Sequence, residues 1–414
     1  MHVDSCDDAS HSAFSMHRTS AELILAALAQ VSALAASSPW GAYLAFNADV
    51  SWRGYATRVD PSTCVPTLPG IEYTHFIAAE DENTKVRTTT SLGDSGPDGK
   101  SIESIGFVQG NADIDLDGSY SCEHTNGLGL AALLSGMDDE CIVVEHSLAT
   151  SDDERRRCLL SYEATSGSLK SVLLLVERKG QAADPAPQGT LYSLCGTWRG
   201  DACVRSPTKA TTSGRTKGFG NTGFGQAKSG GKKPSAESGG GDSLGSCRTA
   251  VFKAKLTYAW DGATNVARQL CVTSAFGEGG DLDAIRSTGS LVRAEGDYGE
   301  YESVSFVGDA TRPTLLFLPS ACHVLAPQQL PMDAKSGPFN MEFGAVLEPG
   351  ESFGWRGYLP SDDKDTESDV DAEGYLPPLD PEGDTTAPRL ARISRLYSGV
   401  GAFVSGSTSL CTAE

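Results

Sequence analysis

Three short marks recur in the same order in the two halves of this chain, and self-similarity at that scale means two copies of one structural unit. Trp52-Arg53-Gly54 returns as Trp198-Arg199-Gly200, and Ile102-x-Ser104-x-Gly106 returns as Ile285-x-Ser287-x-Gly289. Arg157, with Tyr162 five residues on, returns as Arg392 with Tyr397. Each half also ends on an acid after an apolar run, Glu177 in the first and Glu414 in the second. The spacings agree once a Gly/Ser/Lys-rich insertion in the second half is discounted. A third Trp355-Arg356-Gly357 lacks the downstream marks and reads as coincidence.

The length of 414 residues suits two cores rather than one. With 46 Gly and 20 Pro, long helices are disfavoured and short strands favoured. Strand-like runs separated by turn clusters fill the first half: Ser51-Val59, Tyr73-Ala78, Lys85-Thr90, Ile102-Val108, Cys141-His146, Cys158-Tyr162 and Ser171-Arg178. The expected fold is therefore all-β, two tandem antiparallel barrels with an N-terminal helix or extension. Residues 1–39 form that extension, 40–180 the first barrel, 181–190 a Pro/Ala linker, and 191–414 the second barrel. Insertions at 206–246 and 361–384 interrupt the second barrel and are expected as disordered or long surface loops.

Charge narrows the partners. Lys+Arg 33 against Asp+Glu 54 gives a net charge of -21, which repels nucleic acid and anionic membranes. Six basic residues of the first insertion (Lys209, Arg215, Lys217, Lys228, Lys232, Lys233) and the acidic run from Asp362 to Asp384 read as solvated loops, with electrostatic docking as the alternative. The 11 Cys are scattered without close pairs, which points to reduced, structural thiols and not to a zinc site. Leu23 to Ala36 is too short to cross a bilayer, which takes about 20 apolar residues, so no transmembrane anchor is expected. It is either the core of a targeting peptide or a capping helix begun by the Thr19-x-x-Glu22 box.

Few motifs carry chemistry. Asp113-x-Asp115-x-Asp117-Gly118 begins like a calcium loop, but His124 stands where a bidentate Glu is needed, so a β-turn at Asp117-Gly118 is expected instead. The seven His do not form a metal-binding set, and no Gly-x-Ser-x-Gly elbow occurs. Cys322 and His323 are neighbours on a strand and should face opposite ways. Gly218-Phe219-Gly220 lies in low-complexity sequence and is no phosphate loop.

The recurring residues fit a barrel physically. A Trp on the first strand can seal one end, and an Arg from the closing, Arg-rich strand can stack on it, a contact of about 0.5–2 kcal/mol. Gly196-Thr197-Trp198 resembles the Gly-x-Trp of lipocalins, with Arg392 or Arg395 in the place of their last-strand Arg; Val50-Ser51-Trp52 lacks that Gly. The wider pattern, with Tyr258-Ala259-Trp260-Asp261-Gly262, Leu315-Leu316-Phe317-Leu318-Pro319 and Arg392-Ile393-x-Arg395-Leu396-Tyr397, resembles an uncharacterised double-barrel family of photosynthetic organisms. That family is similar to the lipocalin-like lyases that attach bilins to phycobiliproteins.

The resemblance implies a barrel cavity, a tie to tetrapyrrole chemistry and a chloroplast location, with the cytoplasm as alternative. The expected function is binding of a small amphipathic ligand, a tetrapyrrole or bilin, with no cofactor required. Trp52, Arg157 and Tyr162 in one half, and Trp198, Arg392, Arg395 and Tyr397 in the other, are the candidate site residues, the Arg side chains reaching ligand carboxylates. The plainer reading is that these Arg face solvent while one per barrel stacks on Trp. Rivals are a chromophore lyase serving an acceptor protein, and a scaffold of packed barrels.

Overall fold

A computed structural model describes residues 39–80, 85–92, 101–108, 112–114, 118–125, 141–180, 194–207, 247–261, 269–277, 283–296, 299–306, 311, 313–331, 338–347, 387–398 and 403–414. The Leu23 to Ala36 segment, Trp355-Arg356-Gly357, the linker 181–190 and nearly all of both insertions lie outside them.

The described chain is almost entirely antiparallel β. A helix, α1 (Pro39–Asn47), precedes nine strands: β1 (Val50–Val59), β2 (Pro66–Glu80), β3 (Lys85–Leu92), β4 (Ser101–Val108), β5 (Ala112–Ile114), β6 (Tyr120–Thr125), β7 (Cys141–Ala149), β8 (Glu154–Glu163) and β9 (Leu169–Lys179). Ten more follow: β10 (Gly196–Pro207), β11 (Cys247–Asp261), β12 (Gln269–Gly277), β13 (Asp283–Gly296), β14 (Gly299–Phe306), β15 (Pro313–Leu318), β16 (Cys322–Pro327), β17 (Phe339–Leu347), β18 (Arg389–Tyr397) and β19 (Phe403–Ala413).

The N-terminal sheet runs β4-β3-β2-β1-β9-β8-β7-β6-β5, which is barrel order, because β1 pairs with β9. No ladder joins β4 to β5 among the described residues. Strands β10 to β19 close into a full barrel through β10 and β19. Its ten strands exceed the eight of a lipocalin barrel.

Alternation explains β1. Trp52, Gly54 and Ala56 face inward and are buried, while Arg53, Tyr55 and Thr57 are partly exposed on the other side. Strands β7 and β8 break this pattern and are buried on both faces. The reason is that their outer face packs on the other barrel. Ile142, Val144 and Leu160 share one apolar cluster with Val324, Phe343 and Ile393. Polar contacts pin the two together: Arg205 Nε and Nη2 bond Asp113 Oδ1 and Oδ2 at 2.8 and 3.3 Å, and Arg156 Nη1 donates to the Ser320 carbonyl at 2.9 Å.

Two expectations change, and a third falls partly outside the described residues. Trp40 to Asn47, placed by sequence within the first barrel's span of 40–180, lies in α1. Pro39 suits its first turn, where a missing N–H costs nothing, and Asp49 (φ 57) ends it in the left-handed region. The turn expected at Asp117-Gly118 lies partly outside the described residues, since Asp117 is not one of them, and Gly118 (φ 87) stands between the paired strands β5 and β6. The Arg-rich strand is the penultimate one of each half, since β9 and β19 follow it and close on the Trp-bearing strand. The last of these also explains the Gly of Trp-Arg-Gly. A Cβ on Gly54 or Gly200 would stand 1.9 Å from the carbonyl oxygen of Val176 or Leu410 on that closing strand.

Candidate functional site

The ladders allow the two halves to be superposed residue by residue, because directly paired residues share a face. Gly54 faces Glu177, which faces Arg155; Gly200 faces Cys411, which faces Leu390. Two residues on, Arg157 and Arg392 therefore coincide. Arg157 faces Ser147, which faces Tyr120, and Arg392 faces Gly344, which faces His323. Glu145 and Glu342, two residues before Ser147 and Gly344, coincide as well. Tyr162 matches Tyr397, and Ile102 matches Ile285 through the β2-β3-β4 and β11-β12-β13 ladders. The duplication is thus present in register. Only the terminal acids fail to match, since Glu177 corresponds to Cys411 while Glu414 lies farther on, exposed and ion-paired with Arg199.

In the N-terminal sheet the inner face holds a closed charge network. Arg155 is wholly buried and donates twice to Glu177, from Nε at 2.6 Å and Nη2 at 3.1 Å, and once to Asn47 Oδ1 at 2.6 Å. Its guanidinium lies 4.1 Å from the Trp52 ring centroid. Arg157 donates to Glu145 Oε1 at 2.7 Å and to Glu177 Oε1 at 3.2 Å, and the Tyr120 hydroxyl donates to the same Glu145 oxygen at 2.6 Å. Burial alone would raise the Glu177 carboxyl, but Arg155 and Arg157 hold it at about 2. Burial, reinforced by Arg157, pushes His75 down to about 3, and its Nδ1 lies 2.8 Å from Thr90 Oγ1. The helix α1 closes this end: Tyr43 meets Tyr120 edge-on at 5.2 Å, and the Trp52 indole donates to the Asn47 carbonyl.

The C-terminal barrel keeps the frame but not the Arg155–Glu177 pair. Trp198 is buried and donates to the Leu194 carbonyl at 2.9 Å, but Leu390 and Cys411 stand where Arg155 and Glu177 stand in the other half. Arg392 Nη1 donates to Glu342 Oε2 at 3.0 Å. His323 Nε2 lies 3.5 Å from Glu342 Oε1, at the long limit of a hydrogen bond, and forms no well-aligned bond. Burial would raise Glu342, yet Arg392 and His323 hold it below the usual carboxylate range. The Cys411 thiol is pushed up to about 11 by burial, against the pull of Arg392.

One exchange separates the two inner faces. Val143, Leu159, Leu173 and Leu175, all buried, pack against Tyr73 and Ala56 in the N-terminal sheet. Their register counterparts in the barrel are Asn340, Ser394, Ser407 and Ser409. Asn340, Ser394 and Ser407 are only half-buried, Ser394 and Ser407 bond each other at 3.0 Å, and the buried Ser409 hydroxyl has no hydrogen-bond partner. Tyr73 itself corresponds to Ala254. Three apolar residues of four-carbon side chain and a large ring are replaced by small groups, so these inner positions carry smaller side chains and, at three of them, hydroxyls.

The sequence-predicted residues divide by strand parity. Trp52, Arg157, Trp198 and Arg392 face inward, whereas Tyr162, Arg395 and Tyr397 lie on the outer face between the barrels. Tyr162 and Tyr397 join the shared apolar cluster, and Arg395 lies over Phe403 (4.5 Å) and reaches Ser121 at 3.5 Å. The Arg that stacks on Trp52 is Arg155, not Arg157. Trp198 has Leu390 at the stacking position, so neither Arg392 nor Arg395 takes that role. The Arg are not solvent-facing. Cys322 and His323 do face opposite ways, Cys322 into the shared cluster and His323 inward. Glu145, Glu342 and the serines were not singled out by sequence reasoning. Cys64, Cys122, Cys141, Cys158, Cys203, Cys322 and Cys411 are buried and Cys195 partly buried, and none of these eight is in a disulfide. Among the described residues no cluster of three or more His, Cys, Asp or Glu could hold a metal, and no helix is long and apolar enough to cross a membrane.

No family model matches the chain, and no curated protein does. Among solved structures, the chain is similar to a protein of unknown function from the DUF3598 family of Nostoc punctiforme, at 16% identity and a TM-score of 0.54, over 91% of this chain and 99% of that one. The likeness is one of fold, spanning both halves, to a protein of an uncharacterised family from a photosynthetic organism.

Proposed function

We propose that this chain is a ligand-binding protein in which the C-terminal barrel holds a small amphipathic molecule, and the N-terminal sheet is its packed structural partner. The observation that carries the reading is the exchange of Val143, Leu159, Leu173 and Leu175 for Asn340, Ser394, Ser407 and Ser409 at matching inner positions. About eight strands already give a barrel interior that side chains can fill or that can hold one small ligand; ten strands enclose more. Filling that interior takes bulky groups, and at these matching positions the first half supplies three leucines where the second has serines. A buried hydroxyl without a partner, as at Ser409, marks a place where a bound molecule or water completes the bonding.

The apolar wall is Leu256, Leu315 and Phe317, and the polar wall carries the serines. A molecule with one apolar and one polar side fits both. The resemblance to a double-barrel family of photosynthetic organisms makes bilins and porphyrins part of the panel to be tried, and the chloroplast, or alternatively the cytoplasm, the compartment we assign. The test is a titration of the purified protein with a bilin, a porphyrin, a fatty acid and a fatty alcohol, read by tryptophan fluorescence, with Trp198 in the barrel as reporter. Saturable quenching by at least one of them is expected. No response to any, together with no protection from thermal unfolding, overturns the reading in favour of a scaffold.

A further inference from the structure

Resting on that reading, we infer that the barrel selects ligands whose polar end is uncharged, an alcohol, polyol or ester, and disfavours carboxylates. The sequence alone pointed the other way, toward carboxylates held by arginine. The structure places the Arg392 guanidinium against Glu342 at 3.0 Å, with both groups buried, so the charge that would receive a carboxylate is already balanced. A ligand carboxylate entering here would sit beside the Glu342 carboxylate, with Arg392 already engaged by that acid, and it would lose its hydration as well.

The groups left to meet a ligand are hydrogen-bonding ones. Ser409 pairs across the ladder with Arg392, and its hydroxyl is without a partner at 2% exposure. His323 lies two strands to the other side along the same rung, its ring folded over Gly344, where a Cβ would come within 2.3 Å of it. Its Nε2 is poorly bonded and buried. Two residues along the same strands from Arg392, Ser409 and Glu342 respectively, the side chains of Ser394, Ser407 and Asn340 add two hydroxyls and an amide that both donate and accept. Hydroxyl and carbonyl groups satisfy such a set at no electrostatic cost, whereas a carboxylate placed here meets the buried Glu342 charge.

The same geometry says how to convert the preference. Removing the Glu342 charge while keeping its shape, as in Glu342→Gln, releases Arg392 to face a carboxylate. The experiment is a pair of titrations with dodecan-1-ol and dodecanoate on the wild-type protein and on Glu342→Gln. The wild type should bind the alcohol at least about tenfold more tightly than the acid. In Glu342→Gln the ratio of acid to alcohol affinity should rise by at least about tenfold. If the wild type binds dodecanoate as well as dodecan-1-ol, or prefers it, the inference is wrong while the binding reading stands. If neither binds, nor any other member of the panel, the binding reading itself falls and this inference with it. The wild-type pair alone decides the matter should Glu342→Gln fail to fold.

Discussion

Glu145 and Glu342 occupy the same register position in the two halves of the molecule, and each accepts a hydrogen bond from the same register partner, Arg157 at 2.7 Å and Arg392 at 3.0 Å. This is the buried ion pair that the duplicated unit retained while the residues around it diverged. Breaking such a pair on one side leaves an uncompensated charge in the interior, at about 3–5 kcal/mol. Arg157→Ala should therefore lower unfolding free energy by about that amount in urea titrations. In the barrel, Arg392→Leu combined with Glu342→Leu should recover most of the loss caused by Arg392→Leu alone, since apolar replacement of both partners is often neutral.

Stability should fall with acidity in two stages. Burial, with help from Arg157 at His75 and from Arg395 at His146, holds both imidazoles at about 3 in the folded protein against an ordinary value of 6.5. The unfolded chain then takes up protons first, so this stability is complete above 6.5 and is lost as the pH falls toward 3. Glu177, held at about 2 against 4.5, contributes stability that is present above 4.5 and lost as the pH falls through 2. Urea midpoints measured across that range should decline from near neutrality downward. A protein whose midpoint holds steady until about pH 4.5 would show that the histidines contribute nothing. His75→Gln should reduce the upper stage to the part contributed by His146 and leave the lower one.

The two barrels should unfold together. Phe343 lies in the apolar cluster shared by the outer faces of β7–β9 and β15–β18, and Phe343→Ala removes about 3–5 kcal/mol of packing there. The expected calorimetric result is one transition in the wild type, displaced to lower temperature in the variant. Two resolved transitions in the wild type would mean that the shared cluster and the Arg205–Asp113 pair do not couple the halves.

How much of this was legible before the structure depends on which physical signal was used. The duplication could be read because Trp52, Gly54, Arg157 and Tyr162 are rare or geometrically demanding residues that recur in order; the ladders show why Gly54 and Gly200 cannot change. The face each residue takes was also available in principle. Arg157 and Tyr162 are five apart, an odd spacing that puts them on opposite sides of a strand, as Arg392 and Arg395 are at three. Grouping them in one site overlooked that parity. The glutamates were not legible, since Glu145 and Glu342 are single acids in apolar strands with no spacing motif, and only the cross-strand register brings them to the arginines. The serines were readable once the arginines were aligned, because Arg157-Cys158-Leu159 stands against Arg392-Ile393-Ser394. Arg155 as the partner of Trp52 needed the order of β8 and β9 around β1, which no local pattern contains.

The central claim is that the serine-lined end of the C-terminal barrel is where a ligand sits, and transplanting the floor of the other half tests it most directly. Ser394→Leu with Ser407→Leu restores at both positions the residues found at Leu159 and Leu173, and removes both partners of one hydrogen bond together, which leaves neither unsatisfied. Titration of this double variant with the tightest ligand of the wild-type panel should show affinity reduced by at least about tenfold, with folding stability equal or higher by about 1–3 kcal/mol. Unchanged affinity in a stably folded double variant would contradict the account and place the ligand elsewhere.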